Sequence, residues 1–87
     1  MAMKRHFRRA AESELGAGVA YIEIVDEWPQ RQVEIYGDVW RWGDEGHREN
    51  LADQPMANLE LRDEDIIAPE EFEQVWTEAL IRCPPSS

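Results

Sequence analysis

The chain has 87 residues with 19 acidic and 9 basic side chains, so its formal net charge is −10 at pH 7. This length allows one domain with one modest core, and an apolar fraction of 43% with four tryptophans is too high for a disordered chain. A protein with this much negative charge repels nucleic acid and anionic membranes and attracts basic proteins. The single cysteine excludes an internal disulfide and a multi-cysteine zinc site.

The basic side chains are distributed unevenly along the chain. Four of the nine lie close to the start: Lys4, Arg5, Arg8 and Arg9. Residues 19–87 carry 17 of the 19 carboxylates and only five arginines. Because residues 1–18 have only a thin apolar stripe, we predict that they form a basic, flexible N-terminal arm and that 19–87 form a single domain. Direct contact with nucleic acid is expected only through residues 4–9.

Three segments alternate between apolar and polar residues with the period of two that is typical of β-strands. They cover residues 19–26, 31–36 and 39–43. Ile22 and Ile24 share the face of the first strand that we expect to be buried. The pattern predicts a three-stranded antiparallel meander with a two-residue hairpin turn at 37–38. It leaves open which sheet face is covered.

The clearest predicted element is a C-terminal helix over residues 69–82. Pro69 suits a first helical position, and Arg82 favours the negative end of the helix dipole. Apolar residues recur with helical spacing at Phe72, Val75, Trp76, Ala79 and Leu80. The predicted fold is therefore α+β, with one C-terminal α-helix packed on one face of the meander.

No motif in the sequence indicates an enzyme. His47 lies in a loop with Asp44 and Glu45, but no second histidine or cysteine stands at metal-ligand spacing. Carboxylate pairs that could act as acid and base are expected by chance in so acidic a chain. The sequence has no phosphate-binding glycine loop, no Gly-x-Ser-x-Gly and no cysteine with a nearby histidine. We predict no catalytic residue, cofactor or metal site.

The acidic surface indicates a binding function instead. Carboxylates along a sheet and a helix can occupy a basic groove that normally holds phosphates. Tryptophans dominate the binding energy of many interfaces, so we expect Trp40 or Trp42 to anchor the contact. The predicted partner-binding residues are Glu34, Asp38, Trp40, Trp42, Asp44, Glu45, Asp63, Glu64 and Asp65. Solubility alone is the alternative explanation of the charge.

Three stretches of the chain support a family resemblance. Their residues are Tyr21, Ile22, Glu23 and Ile24, then Val33, Glu34 and Ile35, and finally Ile67, Glu70, Glu71, Phe72, Glu73, Val75 and Trp76. From residue 21 onward the chain resembles an uncharacterised family of small acidic bacterial α+β proteins, with a Tyr-Ile-x-Val strand, a hairpin and a Glu-Glu-Phe-Glu-x-Val-Trp helix. Proteins of this shape resemble toxin-immunity proteins and phage anti-defence proteins. The resemblance implies no established activity.

These observations predict a non-enzymatic inhibitor that docks on a basic, nucleic-acid-handling protein. Its role would be immunity to a nuclease toxin or phage anti-defence, for example as an anti-CRISPR protein. The alternative is a small interaction module or a homodimeric accessory subunit without a basic partner. The sequence identifies neither the partner nor the oligomeric state. No apolar run reaches the roughly 20 residues that cross a bilayer, so we expect a cytoplasmic protein without a membrane partner.

Overall fold

The structure, a computed structural model, describes residues 3–85. Four strands and one helix follow one another as β1 (Lys4–Ser13), β2 (Gly16–Val25), β3 (Trp28–Tyr36), β4 (Val39–Asp44) and α1 (Pro69–Arg82). Three short 3-10 helices lie between β4 and α1: Arg48–Asn50, Met56–Asn58 and Asp63–Asp65. The strands form one antiparallel sheet in the order β1-β2-β3-β4, so the fold is α+β.

The sheet has four strands, which corrects the prediction of three. The additional strand, β1, lies within the segment that we expected to be a flexible basic arm. It pairs with β2 over its whole length, from Lys4 opposite Val25 to Ser13 opposite Gly16. Its own apolar pattern is weak, but its pairing with β2 and the burial of Phe7 hold it in place. Residues 1, 2, 86 and 87, which the predicted arm and domain include, lie outside the described residues.

The predicted helix and hairpin turn are confirmed. Helix α1 spans Pro69–Arg82, and the backbone N–H of Cys83 donates to the carbonyl of Ala79 at 2.8 Å to close its last turn. Between β3 and β4 the chain turns at residues 37 and 38. Gly37 has φ +61° there, a conformation that glycine adopts without steric cost.

Both faces of the sheet are covered. Helix α1 packs on one face around the buried residues Tyr21, Val33, Trp42, Phe72 and Ala79. On the other face, Phe7, Ile22 and Ile24 pack against Met56, Leu59 and Leu61 from the segment between β4 and α1. The burial predicted for Ile22 and Ile24 is confirmed, although the irregular segment and not the helix covers them. No helix formed by residues 3–85 is long and apolar enough to span a membrane.

Candidate functional site

A group of charged side chains, two of them buried, lies between the sheet and the start of α1. The carboxylate of Glu23, in β2, is 3% exposed. Arg31 donates to it twice, from Nε at 2.7 Å and from Nη2 at 2.5 Å, and Nε2 of His6 lies 2.9 Å from Oε2. Arg31 also donates to Glu73 of α1, with 3.1 Å between Nη1 and Oε1. Arg31 therefore connects a buried carboxylate of the sheet to the helix.

The hydrogen bonds in this group keep Glu23, Glu73 and Arg31 charged. Burial raises the pKa of Glu23, but the hydrogen bonds from Arg31 and His6 outweigh burial, so the pKa lies below its usual value. The hydrogen bond from Arg31 lowers the pKa of Glu73 in the same way. The hydrogen bond to Glu23 in turn raises the pKa of Arg31. The carboxylates and the guanidinium are therefore ionised at neutral pH.

The same group has the composition of a metal site. His6, Glu23 and Glu73 each offer a ligand atom, and these atoms lie within 4.8 Å of one another. The guanidinium of Arg31, however, donates to both carboxylates and so supplies the positive charge that a metal ion would bring. His6 and Glu23 are each 3% exposed and out of reach of a substrate. We therefore assign this group to the stability of the fold.

The acidic residues predicted to bind a partner do not form one surface. Asp44 is the last residue of β4 and Glu45 follows it, at the end of the sheet where Asp44 pairs with Arg31. Asp38 is exposed in the turn between β3 and β4, at the opposite end. The 3-10 helix Asp63–Asp65, which includes Glu64, lies along β1, next to the bridge between Phe7 and Ile66.

The carboxylate of Glu34 accepts hydrogen bonds from side chains of its own strand. It accepts a hydrogen bond from the hydroxyl of Tyr36 at 2.6 Å and another from Nε2 of Gln32 at 3.2 Å. Both donors come from buried residues of β3. The carboxylate of Glu34 therefore satisfies the polar groups of its own strand.

Of the two tryptophans predicted as anchors, Trp42 is buried and Trp40 is half-buried. Trp42 is 9% exposed, and its Nε1 donates to the carbonyl of Cys83 at 2.6 Å. Its ring meets that of Trp76 edge-on, with 5.6 Å between centroids. Trp40 is half-buried, with the guanidinium of Arg82 over its ring at 4.7 Å. Both indoles thus contribute to the packing of α1 against the sheet.

Among residues 3–85, the most exposed indole is that of Trp28, which is not one of the partner-binding residues predicted from the sequence. Trp28 is the first residue of β3 and is 51% exposed. Two signals were available in the sequence, namely the acidic pair Asp26 and Glu27 directly before it and Pro29 directly after it. Asp and Pro are typical turn residues, and turns lie at the surface, so this setting indicates an exposed position for Trp28.

The turn before Trp28 has an unusual backbone. Asp26 and Glu27 both have positive φ, 51° and 76°, as in the type I′ turns of two-residue hairpins. Positive φ is uncommon for residues other than glycine. Two backbone hydrogen bonds hold the turn. The N–H of Asp26 donates to the carbonyl of Met3 at 3.0 Å, and the N–H of Met56 donates to the carbonyl of Glu27 at 2.7 Å. These contacts fix the position of Trp28.

Trp28 lies on a cleft of about 410 Å³ that combines apolar and acidic groups. We name it the Trp28 cleft; its lining residues are Trp28, Pro29, Gln30, Glu45, Arg48, Leu51, Ala52 and Asp53. Leu51 and Ala52 provide apolar surface, while Glu45 and Asp53 provide two carboxylates against one cation, Arg48. A half-exposed indole with carboxylates around it is suited to a partner that is both apolar and basic.

Comparison with known proteins reveals no relative: no family model, no curated protein and no solved structure matches this chain.

Proposed function

We propose that this protein is a non-enzymatic, acidic binding protein that docks on a basic partner protein through the Trp28 cleft. The observation that carries the proposal is the 51% exposure of Trp28 in a cleft that also contains Glu45 and Asp53. Exposed tryptophans are the residues that most often dominate binding energy. The net charge of −10 would accelerate encounter with a basic protein.

The proposed partner is a basic protein that handles nucleic acid. A groove that holds phosphates is lined by lysine and arginine, and carboxylates that enter such a groove exclude the nucleic acid. The proposed consequence is inhibition in the cytoplasm, either as immunity to a nuclease toxin or as a phage anti-defence protein such as an anti-CRISPR.

The basic residues of β1 support a protein partner rather than a nucleic acid. Nζ of Lys4 lies 3.9 Å from the carboxylate of Glu23. Arg9 donates to the carbonyl of Leu59. The guanidinium of Arg8 lies over a tyrosine ring of β2 at 5.9 Å. Three of the four cations thus interact within the molecule and are less available to phosphates.

Affinity capture with matched variants tests the proposal. The wild-type protein and the Ile81→Ala and Trp28→Ala variants serve as bait, because Ile81 is a more exposed apolar residue (67%) on α1 outside the cleft. We expect wild type and Ile81→Ala to capture the same basic protein. We expect Trp28→Ala to bind it at least about thirtyfold more weakly, as for an interface residue that contributes about 2 kcal/mol.

The purified partner then tests the mechanism. Wild-type protein should inhibit its nuclease or nucleic-acid-binding activity, competing with duplex DNA or RNA, and the association rate should fall steeply as salt rises. Circular dichroism should show that Trp28→Ala is folded, since half of the indole is already in solvent. Capture that survives in Trp28→Ala, or an association rate insensitive to salt, would contradict the proposal.

The alternative of a homodimeric interaction module is favoured by one observation. β1 is an edge strand, and Ala10 and Glu12 are exposed on it. The carbonyl of His6 points away from β2, because it accepts from the N–H of Ile67 at 2.9 Å, so the backbone groups of Ala10 and Glu12 point the same way. Within residues 3–85 no loop segment hydrogen-bonds to them. Sedimentation at several concentrations distinguishes this alternative, since a monomer throughout excludes it.

A further inference from the structure

Arginine guanidinium groups lie over five of the eight Phe, Tyr and Trp rings within residues 3–85, buried and half-buried ones alike. The pairs and their guanidinium-to-centroid distances are Arg82 over Trp40 (4.7 Å), Arg31 over Phe72 (5.0 Å) and Trp76 (5.1 Å), Arg41 over Tyr36 (5.7 Å), and Arg8 over Tyr21 (5.9 Å). At these distances a guanidinium is attracted by the electron-rich face of the ring. Stacking of arginine on aromatic rings is thus a recurrent contact in this fold.

Trp28 departs from this pattern. Trp42, the other indole without an arginine, is in the core between Trp76 and His47, at centroid distances of 5.6 and 4.7 Å. Trp28 is half exposed, yet in the part of the chain that the structure describes no arginine or lysine lies over its ring. Arg48 lines the same cleft without lying over the indole. The ring face is therefore accessible to a cation from another molecule.

We propose that the Trp28 cleft binds an arginine side chain of the partner. This inference rests on the proposed function and deepens it by naming the partner residue at the centre of the contact. The guanidinium stacks on Trp28, and the carboxylates of Glu45 and Asp53 accept its N–H groups. Arginine fits better than lysine because its planar group can stack on the ring and donate in its own plane at the same time.

The charge of the lining agrees with a single bound cation. Glu45 and Asp53 contribute two negative charges and Arg48 one positive charge, which leaves one net negative charge in the cleft. One guanidinium neutralises it. Glu27, adjacent to Trp28 in the exposed turn, adds a further carboxylate that favours approach of a cation.

A peptide of alternating arginine and glycine is the probe, with a twin in which citrulline replaces arginine. Citrulline keeps the shape of the side chain but is neutral. The readout is the indole N–H signal of Trp28 in NMR spectra, identified by its absence in Trp28→Phe. We expect the arginine peptide to shift this signal with a Kd below about 1 mM, and the citrulline peptide to bind about five- to thirtyfold more weakly.

Matched carboxylate variants locate the contact. Glu45→Gln and Asp53→Asn should each weaken binding of the arginine peptide several-fold, whereas Glu70→Gln, which removes an exposed carboxylate of α1 outside the cleft, should not. A lysine peptide that binds as tightly as the arginine peptide would overturn the choice of arginine. Equal binding of the arginine and citrulline peptides, or an unshifted Trp28 signal, would overturn the site.

The two proposals can fail separately. A partner whose capture depends on Trp28 but tolerates replacement of its arginines contradicts the arginine inference and leaves the proposed function standing. Binding of the arginine peptide at Trp28 without capture of any basic partner protein contradicts the proposed function and supports the arginine site.

Discussion

Nε of Arg31 donates to the buried Oε1 of Glu23 at 2.7 Å, across the pair of strands β2 and β3. The same guanidinium reaches Glu73 on α1 and lies over Trp76 at 5.1 Å. Arg31 therefore neutralises two carboxylates, Glu23 of β2 and Glu73 of α1, and links these two elements. A buried ion pair of this kind is costly to break, because the remaining partner keeps its charge without compensation.

Replacement of Glu23 tests this dependence. We expect Glu23→Gln to lower the free energy of unfolding by about 3–5 kcal/mol, because it removes the buried charge that accepts from both His6 and Arg31 and leaves the exposed Glu73 as the remaining carboxylate on this guanidinium. Glu73→Gln removes the exposed partner of the same arginine and should cost less than about 1 kcal/mol. Urea unfolding followed by tryptophan fluorescence measures both. Equal losses in the two variants would contradict the central role of Glu23.

The stability of the protein should depend on pH in the acidic range. The pKa values of Glu23 and Glu73 in the folded protein lie below the usual 4.5, so in this range the unfolded chain binds more protons than the folded one. The stabilisation is complete above about pH 4.5 and is lost as the pH falls through the lowered pKa values. Urea unfolding between pH 7 and pH 3 should show this decrease, and Glu23→Gln should reduce its slope. An unchanged slope in that variant would assign the dependence to other carboxylates.

Gly43 allows the loop after β4 to approach the strand closely. A Cβ at this position would lie 2.6 Å from the carbonyl carbon of Asn50 and 2.7 Å from the backbone nitrogen of Leu51. Gly43→Ala should therefore force the backbone apart and cost about 1–3 kcal/mol of stability. Gly46→Ala is the control, because its Cβ would meet only Asp44 at 3.5 Å. Thermal unfolding compares the Gly43→Ala and Gly46→Ala variants. Similar melting temperatures would show that the loop moves to accommodate the added Cβ at little cost.

The indole of Trp42 should contribute to stability through its polar end as well as its ring. Trp42→Phe removes the donor to the carbonyl of Cys83 and part of the contact with Trp76, with an expected cost of about 1–3 kcal/mol. Trp40→Phe changes a half-buried ring that faces Arg82 and should cost less. Chemical unfolding by far-ultraviolet circular dichroism measures both, and the reverse order would contradict the packing described for α1.

Some of the candidate site could be recognised from the sequence and some could not. Asp44 and Glu45 were expected at the site, and Glu45 lines the Trp28 cleft. Trp28 and Asp53, which line the same cleft, were not expected there, because 24 residues separate them in the chain. Trp40 and Trp42 share one strand face, and one of them was expected to anchor the partner contact. The chain near Cys83 covers that face, and a strand pattern carries no information about it.

The sequence by itself determined the α+β class, the bounds of helix α1 and the turn at Gly37, because these depend on spacing and backbone preference within a few residues. Only the tertiary structure decided that Lys4–Ser13 is a strand, since its pairing with β2 compensates for a weak apolar pattern of its own. The tertiary structure also decided that Trp28 is exposed and Trp42 is buried. Exposure depends on what packs over a side chain, and those covering groups come from distant parts of the chain.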